Sequence, residues 1–277
     1  MKLIDIRRRI AQSLSGVTPD SASEALLIVS ELYSIDPRDI PLKLFDDFEE
    51  NAEVDKVIER RRNGEPLEYI FGKAVFCGLD FSVSCDCLIP QADTEVVVEA
   101  ARSHLSKGSR FADLCTGSGC IAVSIAKFSG ASGIAVDISA KALEIAAKNA
   151  ESNGVSSQIN FINADILKSE DYFDEKYDVI VSNPPYIPTA ECDTLDPRVK
   201  DHEPRNALDG GVSGLDFYER FVGDAMNVLK PGGALFFEIG DGQGDALREL
   251  FEAYGFAGAT VERDFAGRER YAFARLG

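Results

Sequence analysis

The sequence predicts an α/β protein: a doubly wound parallel sheet preceded by a small all-helical domain. Three observations predict it. Beyond Lys107-Gly108, short apolar runs alternate with helical segments, the order expected when each parallel strand is followed by a crossover helix. Residues 1–74 instead repeat their apolar positions at helical spacing, and residues 74–89 switch to the shorter period of strands. The chain has 277 residues, of which 45% are apolar and 27% charged. That is room for about two domains and too apolar a composition for disorder.

In the first region Leu3, Ile6, Ile10 and Leu14 share one helical face, with Arg7, Arg8 and Arg9 between them. Ser21 and Glu24 have capping-box spacing ahead of the apolar run 25–29. A further helix is expected over Glu49–Arg62, ending at Asn63-Gly64. Two short strands around Gly78 make a β-hairpin. Pro90 marks a turn, and Asp93-Thr94-Glu95 offers caps to a helix over Val96–His104. The alternating part then reads as strand Phe111–Leu114, helix Cys120–Lys127, strand Gly133–Val136, helix Ala140–Ser152, strand Ile159–Ile162 and strand Tyr177–Ser182. A Pro- and Asp-rich stretch, 187–214, precedes a helix near Asp216–Leu229. The chain closes with strand Ala234–Ile239, a helix near Gly244–Tyr254, and strands Thr260–Arg263 and Arg270–Ala274. The expected division is 1–73 helical, 74–92 hairpin linker and 93–277 sheet domain.

Composition excludes several functions. No uncharged apolar run approaches ~18 residues, so no membrane span is expected. The opening MKLIDIRRRI is interrupted by charge, unlike a signal peptide. A cytoplasmic protein is the expectation. The net charge is −18, and residues 1–74, with 11 basic and 15 acidic side chains, hold only a small part of it. A protein that grips nucleic acid needs a basic face, so direct nucleic-acid binding is not expected. The six cysteines form no Cys-x-x-Cys, and His104 and His202 are the only histidines. No zinc site is expected, and the cysteines read as free thiols in a reducing compartment.

Candidate chemistry sits at strand ends. Asp113-Leu-Cys-Thr-Gly-Ser-Gly119 lies between a strand and a helix. Gly117 and Gly119 allow a tight turn and close approach of a ligand to the backbone, and the helix start offers free N–H groups. Asp137 ends the next strand, where a carboxylate can accept hydrogen bonds from both ribose hydroxyls. Both features suit either NAD or S-adenosylmethionine (SAM). Asp165 follows the third strand and could hold an adenine amino group.

The segment Ser182-Asn-Pro-Pro-Tyr186 discriminates between them. Pro184 bars Asn183 from helical geometry and Pro185 does the same to Pro184, so the segment is stiff and extended. The Asn183 side chain and the Pro184 carbonyl supply two acceptors for the two hydrogens of a planar –NH2 group. The lone pair of such a nitrogen is delocalised, and fixing the group so that it can pyramidalise toward an electrophile is a remedy. Tyr186 would provide a flat wall. A sulfonium methyl is the matching electrophile, whereas hydride transfer has no use for this clamp.

With these residues in place, the chain resembles the peptide chain release factor glutamine methyltransferases (the HemK/PrmC family) over nearly its whole length. The resemblance is carried by Gly64-Glu-Pro-Leu-Glu-Tyr69, Leu88-Ile-Pro90 with Asp93-Thr-Glu95, Asp113–Gly119, Asn183-Pro-Pro-Tyr186 and Glu203-Pro204. It continues through Ala207-Leu208, Gly210-Gly211, Pro231-Gly-Gly233, Glu238-Ile-Gly240 and the stretch from Asp264 to Arg270.

It implies a Rossmann-like class I SAM-dependent methyltransferase sheet. The implied reaction is N5-methylation of the glutamine in the Gly-Gly-Gln loop of class 1 release factors. By the same resemblance Cys115, Thr116, Gly117, Ser118 and Gly119 contact SAM, Asp137 the ribose, and Asp165 and Ile166 the adenine. Asn183, Pro184, Pro185 and Tyr186 hold the glutamine, Asn183 also facing the cofactor. The N-terminal helices would help dock the release factor, to a monomeric enzyme.

Three positions depart from the family: Gln91-Ala92 where Arg-Pro is usual, Cys115 where Gly is usual, and Ile166 where an aromatic residue is frequent. Ribosomal-protein glutamine methylation and amino methylation of adenine or guanine in nucleic acid are the alternatives. An NAD-dependent oxidoreductase or a non-catalytic binding module would leave Asn183–Tyr186 idle.

Overall fold

A computed structural model describes residues 1–169, 171–264 and 266–277. Phe265, inside the family stretch 264–270, lies outside the described residues. The chain divides into two compact units, Met1–Gly72 and Lys73–Gly277.

The first unit is helical: α1 (Leu3–Ser13), α2 (Ser21–Tyr33), α3 (Ile40–Lys43), α4 (Glu53–Arg62) and α5 (Leu67–Phe71). Leu3, Ile6, Ile10 and Leu14 pack with Ile28, Val29, Val54 and Ile58 in one apolar core, as their spacing predicts. The cap of α2 differs from expectation. Asp20, not Ser21, accepts from the Ser23 backbone N–H at 3.0 Å. Glu24 is drawn away to Arg61, which grips it with two hydrogen bonds of 2.8 and 2.9 Å. Arg61 is buried and needs a partner there more than the helix needs a second cap. The helix predicted over Glu49–Arg62 begins only at Glu53.

In the second unit, β1 (Lys73–Phe76) and β2 (Leu79–Ser82) pair antiparallel. Cys77 and Gly78 between them both take positive φ, 50° and 71°, the geometry of a two-residue turn that matches strand twist. Phe76 and Phe81 point into the core of this unit. A single 3₁₀ turn, Ala92–Thr94, leads into α6 (Glu95–Arg102). Then come β3 (Arg110–Leu114), α7 (Cys120–Ser129), β4 (Ser132–Asp137), α8 (Ala140–Ser152), β5 (Ile159–Asn163) and β6 (Tyr177–Ser182). The remainder is α9 (Thr189–Cys192), α10 (Pro197–Lys200), α11 (Asp216–Val228), β7 (Leu229–Glu238), α12 (Gly244–Ala253), β8 (Ala257–Arg263) and β9 (Glu269–Arg275).

The seven-stranded sheet runs β5-β4-β3-β6-β7-β9-β8. Strands β3 to β7 are parallel, while β9 pairs antiparallel with both β7 and β8. Alternate residues of the central strands feed two cores. Val179, Val181, Ala234 and Phe236 meet α6 and α7 on one face. Ile180, Leu235 and Phe237 meet α11 and α12 on the other. Burial on both faces is why these strands read as unbroken apolar runs. Chain direction reverses its progress between β3 and β6, so the crevice at their carboxyl ends is where a ligand belongs in such a sheet. Among the described residues, no helix is long and apolar enough to cross a membrane.

Candidate active site

The loop after β3 is shaped by backbone torsion and tied by buried carboxylates. Cys115, Gly117 and Gly119 have φ of 60°, 55° and 79°. A Cβ on Gly119 would stand 2.9 Å from Ala146 Cβ in α8, whereas one on Gly117 would meet nothing within 4 Å. Gly119 therefore permits helix packing, and Gly117 borders open space. Asp113 is wholly buried. Its Oδ2 accepts from the Thr116 hydroxyl at 2.6 Å and from the Ala122 N–H at 3.1 Å. Burial raises its carboxyl to about 7. Thr116 thus spends its hydroxyl inside the protein, not on a ligand.

Asp137 accepts from the N–H of Gly117 and of Ser139, one on each oxygen, both at 2.8 Å. A carboxylate has about four acceptor sites, so acceptor capacity remains for a hydroxyl. The Ser118 hydroxyl is buried with no partner among the described residues. Asn149 fastens this loop to the hairpin: its Nδ2 donates to the carbonyls of Ser118 (2.9 Å) and Ser82 (3.0 Å), and its Oδ1 accepts from the Ser82 N–H (2.7 Å).

The segment after β6 is held differently. Asn183 Nδ2 donates to Thr94 Oγ1 at 3.2 Å, and Thr94 donates to Glu238 Oε2 at 2.5 Å. The Tyr186 carbonyl accepts from Gln243 Nε2 at 3.0 Å. Cβ atoms on Gly210 or Gly214 would fall within 2.6 Å of the carbonyls of Pro185 and Tyr186, so only glycine lets these strands of chain meet.

These elements enclose a cavity of about 350 Å³. Of the residues expected at the site, Cys115, Thr116, Gly117, Ser118, Asp137, Asp165, Ile166, Asn183 and Pro185 line it. Gly119, Pro184 and Tyr186 are not in its lining. Pro184 is buried, and Tyr186 packs against the α11–α12 core, its hydroxyl pushed up chiefly by burial.

Sequence reasoning assigned no role to the rest of the wall. Leu88 to Gln91 and Thr94 line one side, and Pro204, Asn206, Ala207, Asp209, Gly211, Asp216 and Phe217 another. Gln91 is pinned by its own Nε2 donating to the Ile89 carbonyl at 2.9 Å. Five aspartates (86, 137, 165, 209 and 216) border the cavity, and no Lys, Arg or His is among its described lining residues. Three of these aspartates are ion-paired just outside the lining: Asp86 with Lys141 at 3.1 Å, Asp165 with Lys168 at 2.6 Å and Asp209 with Arg205 at 3.6 Å.

Comparison with known proteins gives the chain's relatives. Residues 90–195 match the family model described as "Methyltransferase small domain". Over 230 residues the chain is 42% identical to the release factor glutamine methyltransferase of Geobacter sulfurreducens, covering 83% of this chain and 80% of that one. It is 38% identical to the protein of the same name from Cereibacter sphaeroides, covering 100% of this chain and 99% of that one. A methyltransferase structure from Pyrococcus furiosus superposes with a TM-score of 0.56 at 20% identity, covering 73% of this chain and 91% of that one, a likeness of fold.

Proposed function

Because the chain belongs to the release factor glutamine methyltransferase family, we propose that it transfers a methyl group from SAM to a glutamine side-chain amide nitrogen of class 1 release factors, the glutamine of their Gly-Gly-Gln loop. The observation that carries this reading is one cavity at the carboxyl ends of β3 to β6 that runs from the 115–118 loop, past Asp137 and Asp165, to Asn183.

The residues divide the work as follows. Backbone groups of Cys115–Gly119 bracket the amino-acid end of SAM, with Cys115 contributing through its backbone because its thiol is uncharged, burial raising it well above the usual range. The remaining acceptor capacity of Asp137 serves the ribose hydroxyls. Asp165 accepts from the adenine amino group, and Ile166 packs on the ring. When bound, SAM supplies a methyl activated by sulfonium charge.

Asn183 Oδ1 and the Pro184 carbonyl accept the two hydrogens of the glutamine –NH2, and Pro185 and Tyr186 back the planar group. This holds the nitrogen lone pair toward the donor, so rate comes from position and not from a base. The proton shed by the methylated nitrogen leaves to water. The helical unit is read as the docking domain (1–73), with the hairpin at 74–92 and the catalytic domain over 93–277. A substrate from translation termination places the enzyme in the cytoplasm.

The test is transfer from labelled SAM to an unmodified release factor, with bulk RNA and DNA as competing acceptors and calorimetry with SAM and NAD alongside. Label on the protein and heat only from SAM support the reading. Label on nucleic acid, or binding of NAD alone, contradicts it.

A further inference from the structure

The amide clamp needs the oxygen of Asn183 on the substrate side, yet a carboxamide can present either end. Thr94 Oγ1 stands 3.2 Å from Asn183 Nδ2 and 2.5 Å from Glu238 Oε2. Thr94 is 2% exposed and Glu238 4%, so water does not compete for these bonds. A threonine hydroxyl owns one hydrogen and an ionised carboxylate none. The hydrogen between them therefore comes from Thr94, and Oγ1 has only lone pairs left for Asn183. The amide must then turn –NH2 inward and leave Oδ1 to the cavity. We propose that Thr94 and Glu238 are positioning residues that fix the polarity of the Asn183 carboxamide, and thereby make the site accept a hydrogen-bearing nitrogen. This rests on the glutamine-methylation reading above.

The relay also explains why position 183 carries Asn and not Asp. A carboxylate there would bring no hydrogen to Thr94, whose own hydrogen is already given to Glu238. The surroundings of Glu238 make its charge state matter. Burial raises it to about 7 and Asp93 pushes the same way, while hydrogen bonds from Thr94 and, directly, from Asn183, whose –NH2 thus faces inward, and the charge of Arg270 oppose. Arg270 is shared with Asp93 (3.0 Å) and Asp264 (2.9 Å). From α11, the Tyr218 hydroxyl donates to the Glu238 carbonyl at 2.7 Å; Tyr271 is its register partner on β9. The Tyr186 hydroxyl also feels the charge of Glu238. Once protonated, Glu238 can donate to Thr94, freeing the Thr94 hydrogen to turn the amide end for end. Turnover therefore falls as pH drops through about 7.

The experiment uses the full chain, labelled SAM and an unmodified release factor, with kcat and KM followed across pH and SAM affinity measured by calorimetry. T94V is expected to lower kcat about 100-fold while SAM affinity stays within about threefold, which also shows that the site is folded. T94S retains most of the activity, and E238Q, whose amide donates to Thr94 as protonated Glu238 does, shows a low kcat without an acid limb. N183D is expected to be inactive. Adding E238Q to it recovers about tenfold, because the new amide at position 238 donates to Thr94, which passes its hydrogen to the new carboxylate at position 183. Wild-type kcat and acid limb in T94V, or no recovery in the double variant, overturns the relay while leaving the methylation reading intact. Failure of the wild-type protein to methylate the release factor overturns both.

Discussion

The two segments that form the site are built on opposite plans. The loop after β3 is shaped mainly from within: positive φ at Cys115, Gly117 and Gly119, and the Asp113 carboxylate accepting from the Thr116 hydroxyl and the Ala122 N–H, with Asp137 and Asn149 adding ties from β4 and α8. The segment after β6 is stiffened by two prolines, but its place is set from far along the chain, by Thr94, Glu238, Gln243 and the glycines at 210 and 214. A cofactor loop can be local because backbone N–H groups do its binding. A substrate clamp cannot, because one side chain must present one particular atom.

The first test of that difference is the largest. N183A should lower kcat by about 100- to 1,000-fold while SAM affinity stays within severalfold, read by steady-state kinetics and calorimetry. An equal loss of SAM affinity would mean that the two segments are not functionally separate.

Within the loop, the two glycines should also part company. G119A drives a Cβ to 2.9 Å from Ala146 at φ 79° and should cost about 2 kcal/mol in denaturant melts. G117A meets open space at φ 55° and should cost only about 1 kcal/mol of strain, but weaken SAM binding, because its methyl borders the cavity.

A third expectation concerns pH. Asp113 titrates near 7 in the folded chain, above its ordinary carboxylate value. Between those two values the folded state keeps a proton that the unfolded chain has released. Its contribution is fully present below the ordinary value and is lost as pH rises toward 7. The stability of the wild type relative to D113N should therefore fall from pH 4 to 7, measured by urea melts at each pH. A flat or rising difference would contradict the burial argument.

The same contrast explains what could be read in advance. The central strands β4 and β6 are mostly apolar because both faces are covered, and that pattern survives in one dimension. So do the glycines after β3, whose turn is made within a few residues, and the aspartate that ends β4, marked by its place after an apolar run. The hydroxyl of Thr116 turned inward, because Asp113, also local, outcompetes the cavity for it. Thr94 and Glu238 stand apart in the chain by most of the sheet, and no spacing rule connects them. Periodicity is equally blind to strand direction, so the antiparallel pairing of β8 and β9 had no signal. Nor did the short helices α3, α5, α9 and α10, each shorter than an independent helix needs.

The smallest expected effect is chemical. Cys85 is exposed, while burial raises Cys87 to about 11 and likewise raises Cys115 and Cys120 above the ordinary thiol range. Brief alkylation at neutral pH, followed by peptide mapping, should label Cys85 first and spare the cavity thiols.

The most direct measurement is site mapping by mass spectrometry after incubation of the protein with SAM and a release factor, run beside the same factor with the loop glutamine replaced by glutamate. One methyl on the carboxamide nitrogen of that glutamine, and none on the replaced factor, is the predicted result. A methyl elsewhere on the factor, or equal labelling of both factors, would contradict it.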